Sequence, residues 1–366
     1  MRVRMDRDWG EMQVAEQAFE VNGVDRRFYE QELAPWLPSR ILDCHVHVGL
    51  GEGARPISPE RYKAMWALEV GCHQSWRRMR ETYRALFPEQ EVSVLAFANV
   101  YNEIDTQREN EYIFDGIADE RNRAEGLFVT RPGTTCAEIR HAFAQGFVGI
   151  KPYPDLIDGI SMEVSIFQFL PHSHLEVVNE LGGIVMLHLP RSGRLADPSN
   201  TRELVEISER YGRIKLIVAH VGRAYCLPTV ERGLPPLVEH RRILFDVSAN
   251  VNREVFLYTL KAVGPERVLF GTDMPVMLMR GVREHVGEHY INHTDGPYSW
   301  NRHRRSPEEE ANYTFYVYQQ IKALIWAVRQ AGWGRDVLEK IMYSNAARLL
   351  GARTAVNQPA EPSIIS

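Results

Sequence analysis

Eight short, nearly continuous apolar runs recur along this chain, and stretches of helical periodicity separate them. The pattern predicts strands at 40–49, 92–100, 126–130, 147–153, 184–189, 215–220, 243–248 and 268–272. Helices are expected around 59–86, after residue 100 to about 123, and at 135–145, 163–181, 200–211 and 252–263. The last four strands begin at 184, 215, 243 and 268, about one strand–helix unit apart. Runs that are apolar throughout, rather than alternating, suit parallel strands covered on both faces. A closed eightfold barrel and an open doubly wound sheet both fit that pattern. The polar residues decide between them. They close strands 1, 4, 5, 6 and 8, and only barrel closure brings strand 8 beside strand 1. The expected fold is therefore α/β, a (β/α)8 TIM-like barrel over 39–351. It carries an N-terminal extension (1–38), an insertion after strand 1 (50–91) and a lid-like loop at 276–306. Extra C-terminal helices at about 307–331 and 334–350 precede a flexible tail, 352–366.

Composition narrows the class. A chain of 366 residues with 44% hydrophobic and 25% charged residues reads as a soluble globular enzyme. A net charge of -5 argues against a nucleic-acid surface, and no apolar run is long enough for a membrane span. The N-terminus lacks the apolar core of a secretory signal. Cys44, Cys72, Cys136 and Cys226 are isolated, without Cys-x-x-Cys spacing, as in a cytoplasmic protein with free thiols. In the insertion, Trp66, Trp76 and Met79 stand among arginines. That mixture suits the interface of a homo-oligomer and equally a helix packed on its own barrel.

Candidate chemistry sits at the strand ends. Asp43, His45 and His47 close the first run, and side chains two apart on a strand share a face. Imidazole pairs of this kind suit zinc and related divalent metals, whereas Cys44 should point to the opposite face. With 13 histidines in the chain, one His-x-His alone says little. What gives it weight is company: His188 ends strand 5, His220 ends strand 6, and Asp273 follows strand 8. Asp273 can ligate a metal, take a proton from water, or do both. His188 can complete a three-ligand site, and His220 can join a second ligand set or polarise the reacting bond. Lys151, inside strand 4, has three readings: ion pair with a substrate carboxylate, carbamylated bridge between two metals, or solvated strand end. Tyr153 shares its face. Arg191 and Arg223 just past strands 5 and 6 suit bidentate capture of an anionic small-molecule substrate. Arg280, Arg283, His285, His289 and His293 populate the loop after strand 8.

The combination resembles the amidohydrolase superfamily, in particular the amidohydrolase-2 branch that includes aminocarboxymuconate-semialdehyde decarboxylase. The matching pieces run in order over about 40–351. They are Ile-Leu-Asp-Cys-His-Val-His, Gly-Ile-Lys-Pro-Tyr, Val-Met-Leu-His, Val-Ala-His-Val-Gly, Leu-Phe-Gly-Thr-Asp-Met-Pro and Met-Tyr-Ser-Asn-Ala-Ala-Arg-Leu-Leu-Gly. The resemblance implies a deformed eightfold barrel and a catalytic divalent metal, commonly zinc, with manganese the alternative. It implies His45, His47, His188 and Asp273 as ligands and His220 as the acid/base or polarising residue. One ion is favoured; a two-ion site with carbamylated Lys151 stays open. Residues 1–38 and 50–91 match no motif of the branch. The leading expectation is metal-dependent hydrolysis of a small carboxylate-bearing lactone, ester, amide or C–C bond beside a carbonyl. Metal-dependent non-oxidative decarboxylation of an aromatic or enoic acid is the competing enzymatic reading, and a non-catalytic barrel is the third.

Overall fold

All eight apolar runs form strands. A computed structural model describes residues 19–51, 55–157 and 162–351, so the expected tail at 352–366 and the first 18 residues lie outside the described part. The strands are β1 Arg40–His47, β2 Glu91–Phe97, β3 Ala124–Thr130, β4 Gly149–Pro152, β5 Ile184–Leu187, β6 Lys215–Val218, β7 Ile243–Asp246 and β8 Val268–Leu269. They pair in sequence order, and every neighbouring pair is parallel. The seam between β8 and β1 is closed just past the short last strand. Cys44 N donates to Phe270 O (2.9 Å), Asp273 N to His45 O (2.8 Å) and His47 N to Met274 O (2.9 Å). Closure puts both faces of each strand out of water, which is why β4 and β5 are buried at every position.

Local signals set the helices around this barrel. Thr135 caps Cys136–Gln145 through a reciprocal capping box with Glu138, and Gly146 ends it at φ 122°. Asp197 caps Pro198–Arg210, with proline in the first turn where its missing N–H costs nothing. The insertion forms three short helices, Pro59–Ala64, Trp66–Val70 and Trp76–Leu86. Trp76 and Met79 lie in the chain's own core, at 6% and 2% exposure. Of the two readings of that aromatic mixture, self-packing is therefore the one that applies to these two side chains. Trp66 stays 39% exposed, its ring edge against Trp300.

Two segments differ from expectation. The stretch after β8 is not all loop: Gly281–Val286 (β9) and His289–Thr294 (β10) pair as an antiparallel hairpin. The helix expected at 307–331 is two, Pro307–Glu310 and Tyr316–Gln330. The one at 334–350 passes from Arg335–Glu339 through a π-helical turn, Lys340–Ser344, into Asn345–Gly351. The described part of the N-terminal extension is packed. Asp25, in the helix Gly23–Phe28, is fully buried and pairs with Arg280 Nη2 (2.6 Å) while accepting from Thr314 Oγ1 (2.8 Å). This ties the extension to the root of the β9–β10 hairpin and assigns Arg280 a structural partner. Among the described residues no helix is long and apolar enough to cross a membrane, and the four cysteines are free.

Candidate metal centre

The strand ends open at one rim, and there the backbone turns out of the sheet through left-handed residues. Arg191 (φ 60°), His220 (57°), Ala249 (51°) and Asp273 (68°) follow β5, β6, β7 and β8 respectively. Non-glycine residues adopt this region at a cost, and such strain concentrates at functional sites. At this rim Asp273 Oδ1 lies 3.2 Å from His47 Nε2 and 3.4 Å from His45 Nε2.

The hydrogen-bond network assigns the protons on these two rings. His45 Nδ1 is 3.0 Å from Asp246 Oδ2, and His47 Nδ1 is 3.3 Å from the carbonyl oxygen of Ala98. Carboxylate and carbonyl only accept, so both histidines carry hydrogen on Nδ1, and in its neutral form each ring presents a lone pair on Nε2. In that form two lone pairs and a carboxylate oxygen converge, with Lys151 Nζ donating toward His45 Nε2 from 3.5 Å, and a cation among them would relieve the remaining repulsion. The spacing fits one: tetrahedral zinc with bonds of about 2.1 Å sets its ligand atoms about 3.4 Å apart. His188 stands just past the end of β5, its ring 5.3 Å from that of His220 and 4.5 Å from that of Tyr153. Its Nδ1 is buried and has no hydrogen-bond partner among the described residues. These donors are the types that hold a divalent metal, so the residues fit the group that the resemblance implies.

The amidohydrolase family model matches residues 42–352. This chain belongs to the amidohydrolase family. No curated protein matches it. Among solved structures, an amidohydrolase from Burkholderia multivorans with bound HEPES superposes at TM-score 0.55 and 11% identity, covering 85% of this chain and 99% of that one. A probable 2-pyrone-4,6-dicarboxylic acid hydrolase from Acinetobacter baumannii, with citric acid bound, gives 0.52 at 15% identity, covering 85% and 99%. A 2,6-dihydroxybenzoate decarboxylase complexed with 2,6-dihydroxybenzoate gives 0.50 at 15% identity, covering 86% and 99%. Likeness at these identities is likeness of fold.

Within this amidohydrolase, burial governs the charges. It drives His45 down to about 3, with Lys151 adding to the effect, and lowers His188 well below its ordinary value with help from Arg223. Burial alone would raise Asp273, but His220, His47 and His45, where they carry a proton, outweigh it and hold the carboxyl at about 2. Lys151 is fully buried, which rules out the solvated strand end among its three readings. Its Nζ sits 3.5 Å from His45 Nε2 and 4.6 Å over the Phe97 ring, and burial lowers it to about 8. Arg223 is aimed by two carbonyls, its Nη1 donating to Leu189 O and Arg191 O at 3.1 Å each. Arg191 Nε is buried without a hydrogen-bond partner among the described residues. Asp43, expected to project with the histidines, instead turns into the seam. It accepts from the backbone N–H groups of His45 and Thr272 and from the hydroxyls of Tyr83 and Thr272. Of the remaining lid candidates, Arg283 donates to Ala249 O (2.9 Å) past β7, and His293 pairs with Glu284 (3.0 Å).

Sequence reasoning passed over three contributors. Asp246 ends β7 as Asp273 follows β8, in Leu-Phe-Asp after an apolar run, so the strand-end rule would have found it; Ser248 follows two residues on. His73 had no local signal. It comes from the insertion, accepting at Nδ1 from Asn99 Nδ2 (3.0 Å) and donating from Nε2 to Tyr101 Oη (3.2 Å). Burial, then the neighbouring His47, lowers it to about 4. An unfolded histidine titrates near about 6.5, so between those values the unfolded chain binds the extra proton. This contribution is complete above about pH 6.5 and shrinks as pH falls toward 4. The urea midpoint of the metal-free protein is accordingly expected to fall between pH 7 and 5, and to fall less in His73→Gln. Equal slopes for the two proteins would remove His73 from the account.

Proposed function

We propose that this amidohydrolase is a metal-dependent hydrolase of a small anionic molecule, a lactone, ester, amide or C–C bond beside a carbonyl. The observation that carries the reading is the convergence of the His45 and His47 lone pairs on Asp273 Oδ1 at 3.4 and 3.2 Å. His45, His47 and Asp273 would hold the ion, with His188 the fourth protein ligand, and the donor set favours one zinc. When bound, the metal supplies Lewis acidity, making water nucleophilic near neutral pH and polarising a carbonyl. Asp273, held ionised, accepts the water's proton and returns it to the leaving group. His220 stands beside the pair, its ring 4.7 Å from that of His45, and serves the same proton traffic.

Cationic groups without acidic partners support an anionic substrate. Among the described residues no carboxylate lies within ion-pair distance of Arg223 or of buried Lys151. Both therefore suit a carboxylate that arrives with the substrate, Arg191 flanking and Tyr153 lining the approach. The hairpin adds Arg283 over the Tyr225 and Tyr290 rings, at 5.3 and 4.6 Å.

The test has two arms. Metal-free protein titrated with zinc is expected to take up about one ion per chain, and no uptake of zinc or manganese would end the metal reading. With an active substrate in hand, turnover in 18O-labelled water is expected to place solvent oxygen in the product. Carbon dioxide release without oxygen incorporation would assign decarboxylation instead.

A further inference from the structure

We infer that Asp246 is a positioning residue that fixes the tautomers of two site histidines at once, His45 directly and His220 through Ser248. All three supporting side chains are shut off from water: Asp246 and Ser248 are 0% exposed and His220 3%. No solvent therefore competes for their hydrogen bonds, and their protons can be assigned by counting donors and acceptors.

One carboxylate oxygen, Oδ2, receives His45 Nδ1–H at 3.0 Å. The other, Oδ1, receives the backbone N–H of His220 (2.9 Å), the backbone N–H of Ser248 (3.0 Å) and the Ser248 hydroxyl. A hydroxyl has a single hydrogen, and Ser248 spends it on Asp246. Toward His220 Nδ1, 2.8 Å away, Ser248 Oγ can only accept. The Ser248 carbonyl oxygen, 3.2 Å from the same nitrogen, can also only accept. Two independent acceptors therefore place hydrogen on His220 Nδ1 and leave the lone pair on Nε2. Neutral His220 thus takes a proton or binds a cation at Nε2. It does not donate there, so the polarising role that needs a hydrogen on Nε2 does not fit its resting form.

The same Oδ1 also anchors the backbone that presents His220. Four successive residues, His220 to Arg223, are left-handed, with φ of 57°, 49°, 63° and 62°. β-Branched Val221 is the least suited of them to this conformation. The bond from His220 N to Asp246 holds the first residue of this turn. A single carboxylate at the end of β7 thereby links the ends of β1, β6 and β7 and sets which nitrogen each ring presents.

The tautomer assignment concerns the metal-free chain, while its consequence for metal uptake rests on the function proposed above. The test is 15N NMR of histidine-labelled, full-length, metal-free protein, reading the ring-nitrogen shifts. Wild type is expected to show Nδ1–H with an unprotonated Nε2 for both His45 and His220. In Asp246→Asn the amide oxygen stays where three donors need it, so Nδ2–H faces His45 Nδ1. His45 should then move its hydrogen to Nε2 while His220 keeps its own on Nδ1. Zinc affinity, measured against a competing chelator, should fall about 10–100-fold in that variant. Nε2–H on either histidine in wild type, or an unchanged His45 in folded Asp246→Asn, would overturn the inference. Should Asp246→Asn not fold, the wild-type spectrum alone still decides it. Wild type with both predicted tautomers but no zinc uptake would uphold the positioning role and defeat the metal reading.

Discussion

Asp273→Asn is expected to abolish turnover while leaving the metal-free fold at least as stable as wild type. In wild type the carboxylate oxygen faces Nε2 of His47 and of His45 at 3.2 and 3.4 Å, and with neutral rings both nitrogens are acceptors. An amide rotated to present its NH2 turns that acceptor–acceptor contact into a hydrogen bond. Asn also adopts the left-handed φ of 68° at this position as readily as Asp does. The site thus gains internal satisfaction and loses both its anionic ligand and its proton acceptor. Loss of a positioned acid–base group alone lowers rates about 10²–10⁴-fold, and loss of the ion adds to that. The measurements are turnover, bound metal by elemental analysis, and calorimetric melting of chelated wild type and variant. Turnover within about tenfold of wild type, roughly 1.4 kcal/mol of barrier, would remove Asp273 from the chemistry. A metal-free variant melting well below metal-free wild type would show that the carboxylate serves the fold rather than an ion.

The barrel was legible because its strands are buried on both sides and so read as unbroken apolar words. Val-Met-Leu-His and Leu-Phe-Gly-Thr-Asp carry their polar group at the one place where the sheet meets the open rim. The hairpin was not legible. β9, Gly-Val-Arg-Glu-His-Val, is half-exposed, and Arg283 and His285 face inward where an apolar residue would have signalled a strand. Arg283 keeps that place by stacking over the Tyr290 ring and donating to Ala249 O, contacts with residues that only the fold brings near. His73 is a similar case: its partners Asn99 and Tyr101 lie past β2, outside the insertion. Asp43 misled for another reason. Period-two alternation places it with His45 and His47, but the register with β2 shifts between Asp43 and Val46, and the carboxylate turns into the seam.

That seam yields the largest stability effect expected in this chain. Asp43 is fully buried, and its carboxylate serves four donors. They are His45 N (3.0 Å), Thr272 N (2.9 Å), Thr272 Oγ1 (2.6 Å) and Tyr83 Oη (2.5 Å). Burial pushes the carboxyl up to about 6, although Thr272, Tyr83 and His45 pull the other way. Between β1 and β8 there are few ladder bonds, because β8 is only two residues long. Asp43 substitutes for the missing ladder by binding β1 to the turn that carries Asp273. Asp43→Ala leaves all four donors buried without an acceptor, at about 1–3 kcal/mol each. Together they should cost more than about 4 kcal/mol, a large share of a typical stability of about 5–15 kcal/mol. Asp43→Asn should cost far less: the amide oxygen keeps the two backbone N–H groups, and the hydroxyls of Tyr83 and Thr272 rotate to accept from NH2. Denaturant midpoints of the metal-free proteins should therefore rank wild type, then Asn, then Ala, with amide exchange at Cys44 and Asp273 fastest in Ala. An Ala variant with an unshifted midpoint and protected seam amides would mean that the apolar packing of β1 against its neighbours closes the barrel without the carboxylate.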